Sequence, residues 1–135
     1  MGVDSFRDLR VWQAGMDLVE RIYAATQAFP QHEIYGLTSQ MRRAAVSIPS
    51  NIAEGHTREH TKEYLHHLSI AQALLAQLQT QVEIAQRLEY ISTLDSRGIV
   101  EEATTLAKHL YALRNAVSRR SNSNLPSPDL YAKRS

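Results

Sequence analysis

The chain has 135 residues, no cysteine, 43% apolar content, and 15 basic against 14 acidic side chains for a net charge of +1. That length suits one domain with a real core rather than two. The missing thiols exclude disulfides and thiolate chemistry, and the apolar content argues against a disordered chain. No apolar run approaches the ~20 residues needed to cross a bilayer. The N-terminus lacks a basic, apolar, small-residue leader pattern, so a cytoplasmic protein with no membrane partner is expected.

Charge is unevenly spread. Residues 1–36 hold three basic and five acidic side chains, a net of −2, and residues 37–82 four and three, +1. Residues 83–102 hold two and five, −3, and residues 103–135 six and one, +5. One end of the folded molecule should therefore be basic although the whole is nearly neutral.

In chain order, residues 1–5 form a short lead. Leu9, Trp12, Met16, Val19, Tyr23 and Thr26 then step by three and four, which makes a first amphipathic helix. A second row beside it, Val11, Leu18, Ile22, Ala25 and Phe29, widens the apolar face beyond what one partner helix needs. Phe29-Pro30 ends this helix and 31–36 is a loop. Leu37 begins the second helix, with Thr38 as its expected N-cap. Met41, Ala44, Ala45, Ile48 and Ile52 carry its core stripe straight through Pro49. Proline lacks the backbone N–H and crowds the Ala45 carbonyl, so one helix kinked at Pro49 is predicted. Ser47, Ser50, Asn51 and Glu54 are expected to satisfy backbone groups around that proline, with Gly55 as the C′ residue.

The third helix is the longest. Tyr64, Leu68, Ala71, Leu75, Leu78, Val82 and Ala85 keep a sustained heptad rhythm, and a run of glutamines occupies much of the remaining surface. Ser92 or Asp95 caps the fourth helix, whose row is Ile99, Ala103, Leu106, Leu110, Leu113 and Val117, with Tyr111 off it. It ends near Arg119-Arg120, cations suited to a helix C-terminus. The predicted architecture is all-α: an antiparallel up-down-up-down four-helix bundle over 1–120, with a polar, flexible tail over 121–135. Excess apolar rows point to self-association.

The runs Phe6-Arg7-Asp8-Leu9-Arg10-Val11-Trp12-Gln13, Phe29-Pro30, Glu33-Ile34-Tyr35-Gly36-Leu37-Thr38 and Ser47-Ile48-Pro49-Ser50-Asn51-Ile52-Ala53-Glu54-Gly55 carry a resemblance. Together they are similar to the 23S ribosomal-RNA intervening-sequence protein family, also called the four-helix-bundle protein family. That family includes the accessory variability protein of diversity-generating retroelements. The resemblance runs from about Phe6 to about Val117. It implies a homopentameric ring of bundles around a central channel. It also implies a surface that binds RNA or DNA, and a protein partner such as a reverse transcriptase.

Catalytic readings fare poorly against the residues. His56, His60, His66 and His67 cluster, and Glu63-x-x-His66 matches one half of a di-iron bundle site. No second such pair exists, so no metal is expected. There is no glycine-rich phosphate loop and no nucleophile elbow, so neither a cofactor nor an enzymatic activity is expected. The candidate nucleic-acid contacts are Arg42, Arg43, Arg58, Lys62, Arg114, Arg119 and Arg120, repeated around a ring. The competing reading is a ring-shaped protein-interaction scaffold without nucleic-acid affinity. Trp12 and Tyr23 are read as core, and the loop residue Tyr35 is left open.

Overall fold

The structure, a computed structural model, describes residues 5–123. Four helices make it up, and among the described residues there is no strand: α1 (Arg10–Thr26), α2 (Leu37–His56), α3 (Thr61–Arg87) and α4 (Thr93–Ser123). Single 3-10 turns precede α1 and α2. α1 packs on α2 and α4, and α3 packs on α2 and α4, which is the antiparallel bundle read from the sequence. α4 runs three residues past Arg120. Of the predicted tail, residues 124–135 lie outside the described residues.

The heptad rows of α3 and α4 are the core. Every residue of both predicted rows is buried, from Tyr64 to Ala85 and from Ile99 to Val117. Burying each leucine contributes about 1.5–3 kcal/mol relative to leaving it in water. Ser92 caps α4: its Oγ accepts from the Asp95 N–H at 3.0 Å.

α1 corrects the sequence reading. The row that enters the core is Val11, Gly15, Leu18 and Ile22. In the other row Leu9 and Thr26 are buried, but Met16 is 41% and Tyr23 42% exposed. Gly15 explains the choice. A Cβ there would lie 3.3 Å from Pro49 Cβ, so the missing side chain is the notch that seats the proline ring. With Gly15 turned toward α2, the Leu18 row faces inward; Trp12 and Val19 pack half-buried against the core as its edge, whereas Tyr23, read as core, and Met16 face the outer flank.

α2 runs unbroken through Pro49, which is itself buried. Ser50 Oγ donates to the Val46 carbonyl at 2.8 Å and Asn51 Nδ2 to the Ser47 carbonyl at 2.9 Å, so side chains add donors on the turn weakened by the proline. Three expectations for this helix change. The residue holding its first turn is Glu33, whose Oε1 accepts from the Leu37 N–H at 2.9 Å, whereas Thr38 lies inside the helix and is buried. Glu54 takes no backbone group and pairs instead with Arg58 at 2.6 Å. Gly55 is not a left-handed C′ residue but a helical one, and Thr57 closes the helix. The glycine is required by space: a Cβ would meet His67 Cβ at 2.8 Å and Tyr64 Cδ1 at 3.1 Å.

Candidate nucleic-acid interface

Helix register decides which basic residues meet. Across the α3–α4 seam, Gln86 bonds Thr93, Gln79 bonds Thr104 and Gln72 bonds Arg114. The start of α3 therefore lies level with the last turns of α4. Across the α2–α3 seam, His67 Nδ1 donates to Asn51 Oδ1 at 3.0 Å, which sets the end of α2 beside the same turns. Arg58, Lys62, Arg119 and Arg120 accordingly occupy one end of the bundle. Antiparallel packing of α1 on α2, through Gly15–Pro49 and Tyr23–Arg42, brings the start of α1 there too. Arg7 and Arg10, both exposed, join this end. Composition by segment missed them because residues 1–36 are acidic on balance; the antiparallel order itself was the signal.

The other candidates lie elsewhere. Arg42 is half-buried and bound to α1: its Nε donates to Thr26 Oγ1 at 2.8 Å and its guanidinium lies 4.6 Å from the centroid of the Tyr23 ring. It fastens α2 to α1. Arg43 is exposed midway along the bundle, in a groove with Gln40, Ser47, Leu74 and Gln77. Arg114 is half-buried against Gln72, above the basic end.

Six cations (Arg7, Arg10, Arg58, Lys62, Arg119, Arg120) share the end with four carboxylates (Asp8, Glu54, Glu59, Glu63). Glu54 is taken up by Arg58, and His67 Nε2 stands 4.0 Å from the same carboxylate. Among the described residues Lys62 and Arg120 form no ion pair. His60 and His66 are exposed beside them. His56 differs. Its ring stands edge-on to Tyr64 at 5.9 Å, and burial holds its pKa below the usual histidine value.

The histidines do not assemble a metal centre: among the described residues no group of three His, Cys, Asp or Glu is placed to hold an ion. Likewise, no helix among them is long and apolar enough to cross a membrane.

Fold and charge thus define a four-helix-bundle protein with one basic end and a glutamine-rich seam between α3 and α4. The chain belongs to the 23S rRNA-intervening sequence protein family, whose pattern matches residues 7–112. Among solved structures, this chain is similar to a crystal structure of a protein with unknown function from the S23 ribosomal protein family of Bacteroides thetaiotaomicron. The TM-score is 0.70 at 21% identity, over 77% of this chain and 97% of that one, which shows a shared fold. No curated protein matches the chain.

Proposed function

We propose that this protein is a non-enzymatic, cytoplasmic accessory protein that self-associates and holds nucleic acid through phosphate contacts at its basic end. The observation that carries the reading is the convergence of Arg58, Lys62, Arg119 and Arg120 from one loop and two helices onto one end. Lys62 and Arg120, exposed and without a carboxylate partner among the described residues, are the leading contacts. Contacts of this kind grip the backbone and carry no base readout, so RNA and DNA are both ligands by charge, and structure rather than sequence selects between them. Family membership supports a link to ribosomal-RNA insertions.

Self-association supplies the affinity that one chain lacks. Six cations against four carboxylates give a weak site alone, but copies arranged with their basic ends together add phosphate contacts. The surface for assembly is the outer α1–α2 flank, where Met16 at 41%, Tyr23 at 42% and Val46 at 40% remain exposed beside half-buried Trp12 and Val19. A ring of five is the assembly that the family resemblance implies.

The test is fluorescence anisotropy of a labelled DNA duplex and a labelled RNA hairpin at low salt. Lys62→Glu/Arg120→Glu reduces affinity more than about tenfold, since each reversal both loses and repels a phosphate. Arg42→Gln, which alters the α1–α2 fastening, leaves affinity within about twofold at matched oligomeric state. Equal binding by the double reversal removes the reading.

A further inference from the structure

The opposite end of the bundle has a different chemistry. Ile34 and Tyr35, on the loop between α1 and α2, are 41% and 94% exposed. Ile84 in the last turn of α3 and Leu88, its C-cap residue, are 43% and 51% exposed, and Leu94 in the first turn of α4 is 76% exposed. Single exposed apolar residues are ordinary, but five large ones gathered at one end are not.

These residues stand on loops that are locked together. Tyr90 Oη donates to Glu33 Oε2 at 2.8 Å, while the other oxygen of Glu33 holds the first turn of α2. The Tyr90 ring packs 5.4 Å from Phe29. α3 ends in a Schellman closure, with the Tyr90 N–H donating to Ala85 O at 2.9 Å and the Glu89 N–H to Gln86 O at 3.0 Å. Glu89 at its centre has φ 65°, among the described residues the only non-glycine with positive φ. Glycine takes that position at little cost; glutamate takes it under strain. Glu89 follows Leu88 in the chain and both are exposed, so the turn sets an acidic residue next to an apolar one.

The surroundings are acidic. Glu33, Glu83, Glu89, Asp95 and Glu102 stand against Arg21, Arg87 and Arg97, with His32 3.9 Å from Glu33; Arg87 is already paired with Glu83 at 3.0 Å and Arg21 with Glu102 at 3.1 Å. Exposed apolar residues on rigid loops with an acidic rim repel phosphate and fit an apolar surface that carries cations.

We propose that this end docks a cationic amphipathic segment of a partner protein. The segment's apolar side chains rest on Leu88, Leu94 and Tyr35, and its lysines or arginines face Glu89 and Asp95. The site is separate from the basic end and does not depend on nucleic-acid binding there.

The probe is a fluorescein-labelled amphipathic peptide of leucine and lysine at helical spacing, titrated with the full chain at low salt; its leucine–glutamate counterpart is the control. Glu89→Gly is the informative variant, because it relieves the backbone while deleting the carboxylate. Its melting temperature holds or rises while the lysine peptide binds about threefold or more weakly, with a shallower salt dependence. Leu94→Ser weakens binding about tenfold, Lys62→Glu leaves it unchanged, and the glutamate peptide does not bind. The proposal is overturned by absence of binding at low salt, by equal binding of the two peptides, or by wild-type affinity in both Glu89→Gly and Leu94→Ser. It is also overturned if the chain alone stacks end to end and Leu94→Ser abolishes the stacking, since the surface would then be filled by a second copy.

Discussion

Replacing Gly55 with alanine tests the tight approach of α2 to α3. Glycine inside a helix is ordinarily a weakness, and alanine should gain about 1 kcal/mol by propensity alone. Gly55 is helical with no positive φ, so nothing in its backbone opposes the change. Space does. The new methyl would lie 2.8 Å from His67 Cβ and 3.3 Å from the Tyr64 carbonyl oxygen, atoms fixed to the α3 backbone and unable to swing aside. Overpacking of this kind costs about 1–3 kcal/mol, and these contacts belong near the top of that range, so the net loss is about 1–2 kcal/mol. For a chain of this size that is a melting-temperature drop of roughly 3–12 °C. Gly98→Ala is the matched control. The nearest atoms to its methyl would all belong to the Arg21 guanidinium, the end of a half-exposed side chain whose ion pair with Glu102 is a surface one. That variant should be neutral or gain up to about 1 kcal/mol. Thermal unfolding by circular dichroism reads both. A Gly55→Ala protein as stable as the wild type would refute the tight α2–α3 crossing, and with it the register that gathers the basic end.

Three further outcomes are expected. The Glu33 carboxyl is held below its usual 4.5, first by the Leu37 N–H and then by the Tyr90 hydroxyl. The unfolded chain therefore binds that proton more readily, and this share of stability, present above pH 4.5, is lost as pH falls through the lowered value; Glu33→Gln flattens the acid limb of a denaturation series. Met16→Lys/Val46→Lys, by charging the outer α1–α2 flank, should reduce the mass seen by light scattering while leaving helical content unchanged; an unchanged mass would move the assembly surface elsewhere. Burial holds the His56 imidazole below its usual 6.5, so the unfolded chain binds that proton more readily; this share of stability, present above pH 6.5, is lost as pH falls through the lowered value, and His56→Gln should remove that part of the loss in a denaturation series.

How much of this was legible in the sequence depended on whether one pattern stood alone. α3 and α4 each carry a single sustained heptad row, and both rows are buried as read. α1 carries two rows of similar strength, and periodicity cannot rank them. The choice was made by Gly15, which has no hydropathy signal, fitting against Pro49 on another helix. The α2 ends were misread for a related reason. Thr38 has the composition of a cap, but Glu33 reaches back across the loop because Tyr90, 57 residues away, holds its other oxygen. Gly55 looked like a helix stop and is a packing notch. Among the candidate contacts, Arg42 and Arg43 are adjacent in the chain yet 100° apart around a helix, so one faces α1 and the other an open groove. The acidic, apolar end left little trace in the sequence, since glutamate at a glycine-type position hides the turn that organises it.

The central claim is that Lys62 and Arg120 touch phosphate. The most direct measurement is the slope of log affinity against log salt for one labelled duplex, compared between the wild type and Lys62→Ala/Arg120→Ala at matched oligomeric state. Each phosphate contact contributes about −0.9 to the slope, so the double variant should be shallower by about 1.8 per engaged chain, with weaker binding at every salt. A slope and affinity equal to those of the wild type, or no wild-type binding even at low salt, would contradict the account.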